Sequence, residues 1–129
     1  QDLDDPSRGG IAFPDGILRV FDIAAMPLAG DFVALAACKT AVGGANLLDE
    51  AITLAASIHY TGFRHVVASL WNLSDQAARE VFPRIYAAIG ADGFFDSSRS
   101  AAALSDAVNE LRRAGAGIHT WAPFIHLGP

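Results

Sequence analysis

One cysteine, Cys38, and four histidines, at positions 59, 65, 119 and 126, are the side chains best suited to nucleophilic chemistry. Cys38 ends the apolar run Phe32-Val33-Ala34-Leu35-Ala36-Ala37 and precedes Lys39, Thr40 and the Gly43-Gly44 pair. A run of this kind reads as a strand covered on both faces of a sheet. A thiol where such a strand gives way to a glycine-bearing loop is well placed to react. The strand fixes its backbone, and in open α/β sheets ligands bind at the strands' carboxyl ends. The plainer reading is a core cysteine, since free cysteine is among the most buried residue types. A catalytic thiol needs a base to take its proton and donors to hold an oxyanion. None of the four histidines stands out as that base. His59 falls near a predicted helix end. His65 lies on a strand, on the same face as Val67. His119 sits in a glycine-rich loop and is expected to be solvated. His126 lies in the closing segment and either orientation is open to it.

Other chemistries find less support. The scattered histidines and lone cysteine show no C-x-x-C or H-x-x-x-H pairing, so no metal site is expected. There is no P-loop and no G-x-G-x-x-G, and Gly43-Gly44 alone is a weak phosphate signal, so no cofactor is expected. A serine-hydrolase elbow, G-x-S-x-G, is missing.

Composition narrows the setting. The chain has 129 residues, of which 52% are hydrophobic, enough to bury a substantial core. The net charge of −5 argues against nucleic acid as a partner, because phosphate binding needs a basic patch. A single cysteine forms no internal disulfide, which suits a reducing compartment such as the cytoplasm. No apolar run approaches the roughly 18 residues of a membrane span. The first residues, Gln-Asp-Leu-Asp-Asp-Pro-Ser, are too polar for a signal peptide, and the chain does not open with Met. It is therefore expected to be a processed product, an excised piece or part of a longer chain.

The elements that must position these residues follow from local pattern. Pro14-Asp15-Gly16 between two short apolar runs predicts a β-hairpin. Asp22 is expected to cap a short helical turn that Pro27 closes. A helix is predicted over residues 47–60, with Leu48, Ala51, Ile52, Ala55, Ile58 and His59 on its inner side and Asp49 and Glu50 in its first turn. Gly62 ends it. Residues 64–70 form a second buried strand, rich in β-branched side chains. Trp71-Asn72-Leu73 leaves that strand at its carboxyl end. Ser74 or Asp75 caps a helix to Ile89, bent at Pro83 and closed by Gly90. Phe94 and Phe95, in the following loop, are expected to pack down. A last helix covers residues 99–114, with Leu104, Ala107, Val108 and Leu111 as its core stripe, and residues 121–127 form a closing strand. This alternation predicts a layered α/β domain, its first two strands parallel and joined by a right-handed crossover. Two long strands do not cover three helices, so further strands are expected from before Gln1 or from a partner chain. The unpaired sheet edge would invite a homodimer.

Three ordered motifs carry a resemblance. Leu35-Ala36-Ala37-Cys38-Lys39-Thr40-Ala41-Val42-Gly43-Gly44 is similar to the L-S-A-C-x-T-A-x-G-G motif of CHAT domains, caspase-like domains often attached to TPR repeats. Val66-Val67-Ala68-Ser69-Leu70-Trp71-Asn72-Leu73-Ser74-Asp75 resembles that family's V-V-A-S-L-W-x-V-x-D segment, and Trp121-Ala122-Pro123-Phe124-Ile125-His126-Leu127-Gly128 its closing W-A-x-F-x-x-x-G. Ala36 replaces the usual Ser, and Lys39 stands where an acidic residue is common.

The resemblance implies a caspase-like layered fold with a mainly parallel sheet flanked by helices, incomplete at its N-terminal side. Residues 1–129 would then be the C-terminal part of one CHAT-like domain. It implies a thiol peptidase acting on peptide or protein substrates, with Cys38 as nucleophile and Lys39, Thr40, Gly43, Trp71 and Asn72 lining the substrate. In the caspase pattern the base precedes the cysteine by about 50 residues. This chain has no histidine before His59. The base is thus expected from an H-G segment in the N-terminal remainder of the domain or a partner chain, and residues 1–129 alone are expected to be inactive. The alternative is a non-catalytic caspase-like interaction or scaffold module, since fold does not fix function. A small-molecule α/β binding domain is a third class, without phosphate or cofactor signals to support it.

Overall fold

A computed structural model describes residues 10–27, 30–36, 47–71 and 73–129. The first described residues form the expected hairpin. Strands β1 (Gly10–Phe13) and β2 (Gly16–Arg19) pair antiparallel around Pro14-Asp15. Helix α1 (Val20–Ala25) follows directly. Asp22 does not cap it from the position before the first turn, as the sequence suggested. It lies within that turn, and its carboxylate accepts the backbone N–H of Arg19 at 3.2 Å. The helix starts three residues earlier than a cap at Asp22 would require, because Val20 continues directly from β2.

A three-stranded sheet forms the frame, in the order β3 (Gly30–Ala34), β4 (Phe63–Ser69), β5 (Phe124–Leu127). β3 and β4 are parallel and joined through helix α2 (Leu47–Tyr60), while β5 runs antiparallel to β4. The domain is thus α/β, with one parallel and one antiparallel pairing in this three-stranded sheet. β4, not β3, is the central strand. Val66 and Val67 are fully buried, whereas Phe32, Val33, Ala34 and Leu35 are only half-buried, so this part of the apolar run is covered on each face less completely than its composition suggested. Its place at the edge of the described sheet is the reason.

Side chains alternate across the sheet with a period of two. Val33, Leu35, Val66, Ala68, Ile125 and Leu127 face one core, which α1 and α2 close with Ile23, Ala55 and Ile58. Phe32, Ala34, Val67 and Phe124 face the other. That second core is closed by helix α3 (Asp75–Ile89) through Ala77, Val81, Phe82, Ile85 and Ile89, and by helix α4 (Ser100–Arg113) through Ala103, Leu104, Ala107 and Leu111. The stripe read from the sequence of α4 is therefore its core face, with Val108 at the margin.

Local signals set the ends. The Ser74 hydroxyl accepts the Ala77 N–H at 3.1 Å and caps α3, and Gly90 closes it. Gly62, at φ 113°, takes the chain out of α2 in a conformation that side chains rarely adopt. A one-turn helix α5 (Ile118–Trp121) leads into β5. Phe94 and Phe95 do not pack down. They are 77% and 60% exposed between two short 3₁₀ turns, Ala91–Gly93 and Ser97–Arg99, and Phe95 only meets the ring of Phe32 edge-on at 6.5 Å. The backbone just after them is tied down instead, the Asp96 N–H donating to the Ile89 carbonyl at 2.7 Å. Among the described residues no helix is long and apolar enough to cross a membrane.

Candidate functional site

The parallel pairing of β3 with β4 sends both strands out at the same end of the sheet. Phe32 registers with His65, Val33 with Val66 and Ala34 with Val67. The Leu35 N–H then donates to the Val67 carbonyl at 2.8 Å. From there β3 runs toward Cys38, and β4 runs on to Leu70 and Trp71. The Leu70 N–H donates at 2.8 Å to the carbonyl of Pro123, just before β5. Trp71 is half-buried, and its indole N–H is enclosed without an acceptor among the described residues. Leu73 then buries itself against α3. Of the residues expected to line a substrate, Trp71 alone falls in the described part. Cys38, Lys39, Thr40, Gly43 and Asn72 lie outside the described residues, as do the side chains of Leu48, Asp49, Glu50, Ala51 and Ile52 in α2.

The four histidines take distinct roles. His59 is exposed and does not belong to the inner stripe of α2. Its Nδ1 lies 2.8 Å from the carbonyl oxygen of Phe63, a bond that Nδ1–H donates across the α2–β4 turn. The inner face is held instead by Ala55 and Ile58. His119 is exposed on α5, as its loop-like surroundings suggested. His65 is only 2% exposed, which fits the structural role expected for it. His126 turns inward toward it, the choice the sequence left open.

That last contact is a cluster that sequence reasoning missed. Nδ1 of His65 and Nε2 of His126 lie 3.2 Å apart, and the same Nε2 lies 3.2 Å from the Ser100 hydroxyl at the start of α4. Ser100 is fully buried. Because Val67 is directly opposite His126 in the antiparallel register, His65 is its diagonal neighbour on the same face. Burial holds the His65 imidazole below its ordinary pKa, with the Arg64 charge adding to the effect. Burial likewise lowers His126, followed by the proximity of His65 and His59. Both rings are therefore neutral near pH 7. No sequence spacing announces the pair, since it depends on which strand β5 joins and in which register.

Among the described residues no cluster of three or more histidine, cysteine or carboxylate side chains is arranged to hold a metal ion. No curated protein and no solved structure matches the chain significantly. A family model described as CHAT domain matches residues 2–129, which spans every element of the sheet and all three motifs that carry the resemblance. With a CHAT domain, a caspase-like domain, thus covering nearly its whole length, the chain belongs to the CHAT-domain family.

Proposed function

We propose that this chain carries the nucleophile of a CHAT-type cysteine peptidase. Cys38 attacks the carbonyl carbon of a peptide bond, a C–S bond forms as the amide C–N bond breaks, and water later releases the acyl group. The thiol proton passes through a histidine base to the leaving amine. The Cys38 backbone N–H contributes to the oxyanion site. The base comes from an H-G segment, supplied by the remainder of the same domain or by a partner chain. TPR repeats are the partner that the family resemblance suggests, and a reducing compartment such as the cytoplasm keeps the thiol free. The observation that supports this reading is the parallel β3–β4 pair, whose strands, four residues before Cys38 and two before Trp71 in the sequence, end at the same side of the sheet. Lys39, Thr40, Gly43, Trp71 and Asn72 are then the residues around the substrate. The test is a labelled thiol-reactive peptide electrophile applied to the full-length parent. Labelling that is lost in Cys38→Ala supports the proposal, and equal labelling of both forms overturns it.

A second reading, a non-catalytic interaction module, is favoured by one observation. Phe13, Ile17 and Phe21 are 51%, 64% and 71% exposed on the hairpin and α1, an apolar display that a monomer rarely keeps without use. A Cys38→Ala parent that still binds every partner of the wild type, with no substrate cleaved by either, would establish that reading.

A further inference from the structure

We infer that His65, His126 and Ser100 form an acid-sensitive latch, which fastens β5 and the start of α4 to β4 while both imidazoles are neutral and lets β5 go when the pair takes up a proton.

The geometry restricts the protons. Nε2 of His126 is shared, at 3.2 Å each, by His65 Nδ1 and Ser100 Oγ. In one neutral arrangement His65 Nδ1–H donates to that nitrogen, and the far nitrogen of His65, Nε2, is left with a bare lone pair. Nε2 is buried and has no partner among the described residues. In the other, His126 Nε2–H donates, and His65 Nε2 carries a buried N–H with no acceptor. An orphaned N–H is the rarer and costlier of the two, so the first arrangement is favoured.

A proton on either ring removes the favoured arrangement. On His65 it creates an N–H at Nε2 with nothing to receive it. On His126 it sets donor against donor, until His65 shifts its own proton to Nε2 and meets the same fate. Every protonated state therefore holds a charge on a buried or half-buried ring together with an unmet donor. There is no slack nearby: a β-carbon on Gly128 would lie 3.0 Å from His65 Nδ1 and 3.2 Å from His126 Cε1.

Charges from each neighbouring element are divided. Arg64 on β4 and His59 at the end of α2 oppose a proton on His65, and Asp31 on β3 and Asp96 before α4 favour one. Burial outweighs them all. The sign follows. A histidine whose folded pKa is depressed leaves stability whole above its unfolded pKa of about 6.5, and stability falls as the pH drops below that value. β5 is the element that gives way, because among the described residues it pairs only with β4. Its release also frees the Pro123 carbonyl from Leu70, beside Trp71. Any effect on catalysis through Trp71 rests on the peptidase reading, whereas the latch does not.

Hydrogen exchange of backbone amides, corrected for intrinsic rates and followed at about pH 7.5 and about pH 5.5, tests the latch in the 129-residue chain. The expected result is a loss of protection in β5, approaching about tenfold for a ring that stays neutral at about pH 5.5, one unit below the unfolded value of about 6.5, while Val81 to Ile85 in α3 keep theirs. The His65 and His126 ring signals should titrate below about 6.5. His126→Gln, which hydrogen-bonds without titrating, should reduce the pH response to the share that the buried His65 carries, and the exposed His59→Gln should retain it in full. Unchanged β5 protection in the wild type, ring signals at or above the ordinary value, or a His126→Gln response equal to the wild type would each overturn the inference. If His126→Gln does not fold, the wild-type exchange and ring titration decide.

Discussion

The amide of Leu35 donates to the carbonyl of Val67 at 2.8 Å, one residue past the last registered pair of β3 and β4, Ala34 with Val67. The bond ties the end of β3 to the middle of β4, the most buried of the described strands. Leu35 faces the core closed by α1 and α2, while Val67 faces the one closed by α3 and α4, so the hydrogen bond joins strands that are packed from both sides. Rigidity at this point is what the nucleophile proposed at Cys38, three residues on in the sequence from Leu35, would require.

The contrast between neighbours in α3 tests that packing. Ile85 is fully buried and Tyr86 is 52% exposed, its ring meeting Phe32 edge-on at 5.9 Å. Ile85→Ala is expected to destabilise the fold by about 2–5 kcal/mol through lost burial and a residual cavity. Tyr86→Ala should cost no more than about 1 kcal/mol, the scale of an aromatic pair. Urea titration of both variants decides, and equal losses would contradict the placement of the core.

Ser74 gives a sharper local test. Its hydroxyl satisfies the Ala77 N–H at the start of α3, so Ser74→Ala should cost about 1 kcal/mol and Ser74→Asp almost nothing. The same denaturation experiment reads both, and an Asp variant as weak as the Ala variant would rule out the cap.

These caps and stripes show what was legible beforehand. Pro14-Asp15-Gly16, Gly62, Ser74 and Gly90 act on the backbone within a few residues, so the hairpin and the ends of α2 and α3 could be read from the chain alone. The stripe of Leu104, Ala107 and Leu111 was equally plain, because a helix writes its buried face as a period. Long-range partners leave no such mark. The closing strand was evident as an apolar segment, but not its antiparallel pairing with β4, and without that register His65 and His126 are two unrelated residues. Phe94 and Phe95 misled for the same reason: apolarity states a preference for burial, but not where the backbone is tied down. Cys38 became a candidate nucleophile through motif resemblance, since neither its type nor its apolar approach distinguishes it from a core cysteine.

Glycines at the two ends of the last segment should behave differently. Gly115, at φ 79°, stands in open space, so Gly115→Ala meets only backbone strain of about 1 kcal/mol. A β-carbon at Gly128, at φ 144°, would lie 2.5 Å from the Arg64 carbonyl oxygen, a backbone atom that cannot turn aside. Gly128→Ala should therefore cost more than Gly115→Ala and loosen β5 selectively. Amide exchange at Ile125 to Leu127 distinguishes this from a global effect, and equal losses for the two variants would count against the close packing of Gly128 on β4.

Cys38 is the sole cysteine, so alkylation of the chain reports on that thiol alone. Lys39 follows it directly. A cation beside a thiol favours the thiolate and lowers its pKa from the ordinary value of about 8.5. If Lys39 acts in this way, the pH midpoint of iodoacetamide alkylation lies below about 8.5 in the wild type. Lys39→Arg should keep it there. Lys39→Ala should raise it by several tenths of a pH unit, and Lys39→Glu should raise it further, because a carboxylate opposes the second negative charge. A single midpoint shared by all four proteins would show that the ammonium group does not reach the thiol field. The role of Lys39 would then be limited to the choice of substrate side chain, readable as a change in cleavage preference with the alkylation profile unmoved.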